Sequence, residues 1–237
     1  MKTNKSYGIA LTKKNKITNK YEILFIKKRS SYSYITFTKG IYFNKNDVKK
    51  LFNTMTMNEK LTILSLDFPH IWFNCFLKHP IVTDKKYIKA IRKFEKFFII
   101  GKEFNIKQII AESKNIDLIW EIPKGYCDKN ETGINSAIRE FYEETNIHKS
   151  KYKILWDVKP IKYLFSDNNI TYEYIYYIAI MLDHVYIPKI NYASSSMIDE
   201  IIDIKFLSTE QIKGISPDNK FMDLVRKMIK IVKNVSK

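Results

Sequence analysis

Residues 125–147, GYCDKNETGINSAIREFYEETNI, restrict this chain more than any other stretch. They require a glycine-led loop to run straight into a helix. Ser136 to Glu144 contains neither Gly nor Pro, and Ala137, Ile138 and Phe141 supply a stripe to bury. Glu140, Glu143 and Glu144 stand three and four residues apart, so their side chains share one side of the helix. Like charges at that spacing destabilise an isolated helix by about 0.2–0.5 kcal/mol per pair. Clustered carboxylate oxygens are also what a hard divalent cation such as Mg²⁺ or Mn²⁺ requires.

The stretch resembles the Nudix box, G-x5-E-x7-R-E-U-x-E-E-x-G-U with U a bulky apolar residue. Gly125, Glu131, Arg139, Glu140, Phe141, Glu143, Glu144 and Ile147 fall on its positions. Asn146 stands where the pattern has its second glycine. Asn is the next-best residue for the left-handed conformation that caps a helix there. The resemblance implies a Nudix α/β/α sandwich with a mixed sheet, and metal-dependent hydrolysis of a pyrophosphate. It assigns metal ligation to Glu140 and Glu144, with help from Glu143 and the Gly125 carbonyl. Glu131 and Arg139 are expected to pair with each other or with neighbouring glutamates, holding the loop on the helix. Glu144, Glu143 and Glu200 are the candidates for general base; Glu200 stands just ahead of the last strand, DEIIDIKFLS.

Elsewhere the pattern alternates between strand and helix. Tyr7 to Leu11 and Tyr21 to Lys28 read as a strand pair. From Asn44 the period becomes helical, with Val48, Leu51, Phe52 and Met55 on one face. Thr56 with Glu59 forms a capping box, and Asp67 with Pro69 a further helix start. Helices are expected over Lys85 to Phe98, with Ile88, Ile91 and Phe94 inward, and over Ile106 to Ser113. Strands follow at 118–122, Tyr152 to Trp156, Ile161 to Phe165, Thr171 onward and Asp203 to Leu207, with a turn at 166–169. Pro217 to Val235 reads as an amphipathic helix with Phe221, Leu224, Val225, Met228, Ile231 and Val232 inward. The expected organisation is a Nudix domain at 1–42 and 117–237, split by an inserted all-helical subdomain at 43–116.

The box leaves the substrate open. Lys124 precedes the box glycine, as in mRNA-decapping enzymes and in hydrolases of dinucleoside or diphosphoinositol polyphosphates, which implies an ammonium beside the phosphate path. The helical block with TMNEKLTILSLDF resembles the Nudix decapping proteins of large cytoplasmic DNA viruses, of poxvirus and African swine fever virus type. That resemblance implies capped mRNA as partner, with the methylated guanine between two aromatic rings. The matching positions are Tyr32 and Tyr174, with Asp167 at the base edge, and Tyr34 or Tyr176 could substitute. The alternative partners are inositol or dinucleoside polyphosphates. A non-catalytic RNA-binding module is a third reading, which the complete glutamate set opposes.

The formal net charge of +16 suits a polyanionic partner. Lys85, Lys86, Lys89, Arg92, Lys93 and Lys96 share one helix, and Lys227, Lys230 and Lys233 another; each set suits an RNA track or a solvated face. Arginine stands only at Arg29, Arg92, Arg139 and Arg226, so part of the charge is a compositional bias toward lysine. Cys75 and Cys127 make no disulfide framework, and His70, His79, His148 and His184 lack ligand spacing. No apolar run approaches the ~20 residues of a membrane span, and a cytoplasmic location is expected.

Overall fold

Strand β1 (Thr3–Lys14) is the axis of the sheet. Ile9, Ala10 and Leu11 are all fully buried, as a strand covered on both faces requires. In the computed structural model, residues 3–100, 104–114, 116–117, 120–167, 170–215 and 219–235 are described, and of 166, 167 and 170 only the backbone. They form two compact units, Met1–Lys27 with Trp120–Lys237, and Lys28–Ile119.

In the first unit β1 pairs antiparallel with β2 (Tyr21–Lys28) at residues 12–14. It pairs antiparallel with β4 (Lys124–Tyr126) at residues 6–8. On its other side it runs parallel to β7 (Ile170–Met181), Thr3 opposite Thr171 through Thr12 opposite Ile180. β3 (Trp120–Glu121) and β8 (Ile201–Ser208) pair with β2, while β5 (Tyr152–Ile154) and β6 (Ile161–Asp167) pair with β7. The sheet is therefore mixed. At Gly8 a Cβ would lie 2.2 Å from the Pro123 carbonyl, so the missing side chain is what lets the 123–124 backbone come this close.

The alternation of β1 divides the core. Ile9 and Leu11 pack with Ala137 and Phe141 of α7 (Gly133–Thr145) and with Met197 of α8 (Ser195–Glu200). Ala10 packs on the opposite face with Tyr176, with Ile212 of α9 (Thr209–Ile215), and with Val225 and Met228 of α10 (Asn219–Val235). Helices thus cover both faces. On α10 the buried line is Met222, Leu224, Val225, Met228, Ile229 and Val232, while Phe221 and Ile231 are only partly buried. Pro217 lies outside the described residues.

Apart from Lys28, the last residue of β2, the described secondary structure of the second unit is helical: α1 (Tyr32–Thr38), α2 (Lys45–Phe52), α3 (Met57–Ser65), α4 (Phe68–Phe76), α5 (Lys85–Phe94) and α6 (Ile106–Glu112). Their starts follow the sequence signals. Asn44, Asp67, Asp84 and Asn105 accept backbone N–H groups, and Thr56 with Glu59 closes a full capping box. The core is strongly aromatic, with Phe37 against Tyr42, Phe52, Phe94 and Phe98. Tyr34, Phe37 and Tyr42 belong to it, so this unit starts before the change of period at Asn44.

Several local expectations are corrected. The helical run covers the expected 85–98, its last part being a π turn, Glu95–Ile100; Phe94 is inward as expected, but beside it stand Tyr87 and Ala90, while Ile88 and Ile91 are half-buried. Ser166 and Asp167 extend β6 rather than turning, because their backbones pair with Thr171 and Ile170. Asn168 and Asn169 lie outside the described residues, as do Leu118 and Ile119. β5 stops at Ile154, and Trp156 is exposed.

Candidate active site

The site is built from the end of β4, the loop after it and one side of α7. Thr132 caps α7 by accepting the Asn135 N–H, and Asn146 ends it at φ +53°, where only Gly or Asn sits cheaply. Both ends of α7 are therefore specified locally.

Arg139 ties the parts together. It grips Glu131 through two nitrogens, Nε to Oε1 at 3.0 Å and Nη2 to Oε2 at 2.8 Å. Nη2 also donates to the Tyr126 carbonyl at 2.9 Å, and Nη1 to Glu140 at 2.8 Å and Glu143 at 3.1 Å. The Asp128 N–H closes the loop on Glu131 at 3.1 Å. A planar fork with five donors meets these demands where an ammonium would not. The guanidinium holds the Glu131 carboxyl below the usual carboxylate range.

Glu140 lies against Gly125. A Cβ there would fall 1.9–2.3 Å from the Glu140 carboxyl atoms, so this glycine makes room for a functional group. Burial raises the Glu140 carboxyl above its ordinary range, Arg139 opposes this, and the negative charges of Glu143 and Glu200 add to the rise. Glu200 is exposed at the end of α8, near enough for its charge to be among those that raise the Glu140 carboxyl. Glu144 is buried, and its Oε2 accepts the Lys124 N–H at 2.9 Å.

Among the described residues no group of three or more His, Cys, Asp and Glu side chains is arranged ready-made for a metal ion. Arg139 draws two of the carboxylates onto itself instead. The donor set nevertheless fits a hard divalent ion. Glu140, Glu143 and Glu144 offer oxygen only, beside the Gly125 backbone, and their mutual repulsion is what a cation relieves.

The remaining residues singled out by sequence are distributed as follows. The Lys124 ammonium is buried, 2.7 Å from Glu121 Oε2 and 4.6 Å from the centre of the Tyr174 ring. Tyr174 also packs on Tyr163 and Phe165, and burial pushes its hydroxyl up to about 12. Tyr32 opens α1 in the helical unit and is half exposed. Tyr34 and Tyr176, the substitutes, are both core residues. The Asp167 side chain lies outside the described residues. On α5, Lys85, Lys86, Lys89, Arg92 and Lys96 are exposed. Lys93 is not a free surface cation: it donates to the Gly40 carbonyl at 3.0 Å and sits 4.4 Å from the centre of the Phe43 ring. Sequence reading missed Glu121. Its signal was an acid three residues before Lys124 across Pro123, which the strand reading concealed.

Residues 104–225 match the NUDIX domain. The chain belongs to the NUDIX family. It is 32% identical over 225 residues to the mRNA-decapping protein g5R of a Kenyan isolate of African swine fever virus, covering 91% of this chain and 89% of that protein. The g5R protein of the Vero-adapted Badajoz strain is 31% identical over 230 residues, covering 93% and 90%. Among solved structures, a C. elegans Ap4A hydrolase shares the fold with a TM-score of 0.51 at 15% identity, covering 98% of both chains. Nudix hydrolases generally need divalent metal ions, in keeping with the donor set. No helix among the described residues is long and apolar enough to cross a membrane.

Proposed function

We propose that this Nudix hydrolase removes the 5′ cap of mRNA, cleaving the cap pyrophosphate to give methylated guanosine diphosphate and 5′-monophosphate RNA. The observation carrying this is identity of 31–32% along nine-tenths of the chain to viral mRNA-decapping proteins, helical block included. The helical unit is accordingly an insertion that splits the Nudix domain between β2 and β3.

Glu140, Glu144, Glu143 and the Gly125 carbonyl would hold Mg²⁺ or Mn²⁺. The bound ion supplies charge neutralisation along the pyrophosphate and activates a water as nucleophile. The residues of the chain do the rest. Lys124 places a positive charge at the start of the box, oriented by Glu121 and the Tyr174 face. Glu144, Glu143 and Glu200 are the groups assigned to take the proton of the attacking water, all three on or beside the carboxylate cluster of α7. Tyr32 and Tyr174 are assigned to the cap base, and the exposed α5 cations to the RNA body.

The test is product analysis on RNA labelled within its cap, with Mg²⁺ or Mn²⁺, beside a dinucleoside polyphosphate and a diphosphoinositol polyphosphate. Release of methyl-GDP is expected, and Glu144→Gln should abolish it while RNA affinity stays within about twofold. Brisk cleavage of a small polyphosphate with none of the cap would overturn the assignment.

A further inference from the structure

The sheet unit has a cleft on the side away from α7. Lys14, Lys20, Tyr21, Thr209, Ile229 and Lys233 line a cavity of about 460 Å³ between the β1–β2 turn, the start of α9 and the end of α10. A neighbouring cavity of about 360 Å³ shares Thr209, Ile229 and Lys233 and adds Arg226 and Lys230. Lys14 stands opposite Tyr21 and Tyr7 opposite Gly125, so seven residues of β1, about 23 Å, separate cleft and box. Packing of α7 and α10 on opposite faces of β1 separates them further.

The lining combines three chemistries. Glu210 pairs with Lys20 at 3.1 Å, and Asp223 with Arg226 at 2.8 Å. Among the described residues no carboxylate forms an ion pair with Lys14, Lys230 or Lys233, so the cleft carries net positive charge. Ile229 adds apolar and Tyr21 aromatic surface to the lining, the Lys14 ammonium lying 5.9 Å from the centre of the Tyr21 ring, and Asn19 and Thr209 add polar groups. A bare anion needs only the lysines. Phosphate-binding cations beside an aromatic ring, in a volume typical of small-molecule sites, suit a base joined to its phosphates.

We propose that this cleft is a second nucleotide-binding site, with Tyr21 against the base and Lys14, Lys230 and Lys233 on the phosphates. The same chemistry is offered by a free nucleoside triphosphate and by a nucleotide within an RNA strand. Lys230 and Lys233 were offered above only as part of an RNA track or a solvated face; the cleft adds Lys14 and Tyr21 to them, on the face of the sheet opposite α7.

The experiment titrates the full chain with fluorescent mant-ATP in EDTA, which withholds metal from the catalytic carboxylates. Saturable binding is expected, at least tenfold weaker in Lys14→Glu/Lys233→Glu and in Tyr21→Leu. Hydrolysis of a cap dinucleotide with metal present should not change in the charge-reversed protein. Should the double variant lose its thermal transition, the single Lys233→Glu, at an exposed position, carries the comparison. Displacement of mant-ATP by a 12-nucleotide RNA identifies the strand as the source, and failure to displace identifies the free nucleotide; both support the site. No saturable binding, or wild-type affinity in Lys233→Glu and Tyr21→Leu, overturns it. Failure of cap cleavage alone leaves this outcome untouched.

Discussion

Gly125 is the position where one carbon atom decides whether the site assembles. An added Cβ would occupy the place of the Glu140 carboxyl, and that carboxyl ends a flexible side chain able to swing away. The fold should therefore tolerate Gly125→Ala while the Glu140 carboxyl moves by about an ångström. We expect turnover to fall ~100-fold with the melting temperature within about 2 °C of wild type; activity near wild type would show that Glu140 works from another position. The box was legible in sequence because its partners lie within 22 residues of one another and its capping rules are local. Lys124 and Lys93 were not legible in the same way. The Lys124 ammonium meets Tyr174 fifty residues further on, and Lys93 meets Gly40 and Phe43 about as far back, so their surroundings are set by tertiary packing.

Among the elements, α7 shows most plainly how sequence and structure agree. Asn146 was expected to replace glycine in a left-handed cap, and it does so, its N–H returning to the Tyr142 carbonyl. Asn146→Ala should cost about 1–2 kcal/mol in thermal or denaturant unfolding, whereas Asn146→Gly should change stability by less than about 0.5 kcal/mol. Equal losses in the two would mean that the Asn side chain, rather than the backbone conformation, holds the end of the helix. Helix starts at Asn44, Thr56 and Asp67 were legible for a similar local reason. The ends of β5 and β6 were not. Pairing with β7 sets them, and a partner strand leaves no trace in the residues that stop pairing.

Across the whole molecule charge is the property most visible in sequence and least specific. Reversing or neutralising lysines at random tests nothing, but the structure separates exposed cations from a pinned one. Replacing Lys85, Lys86, Lys89, Arg92 and Lys96 with Gln should flatten the dependence of log Kd on log salt for uncapped RNA by up to about 3.5. An unchanged slope would show these residues to be a solvated face. The mixed sheet was expected from the family resemblance, while the particular pairing of β1 with β7 was written nowhere in either strand. Its parallel register joins residues some 168 positions apart, a distance that no local pattern spans.

That register has a consequence in time. A ribosome releases Thr3–Lys14 first and Ile170–Met181 only after most of the chain is made, so at ~5–20 residues per second the central strand waits roughly ten seconds or more for its parallel neighbour. The helical unit, with its own aromatic core, is synthesised entirely within that interval. The glutamates of α7 also emerge before β7 exists to complete the sheet beneath them. The layer that carries α7 is thus among the last parts of a nascent chain to close, and a chain truncated before residue 170 would keep the whole Nudix box without the parallel neighbour of its central strand.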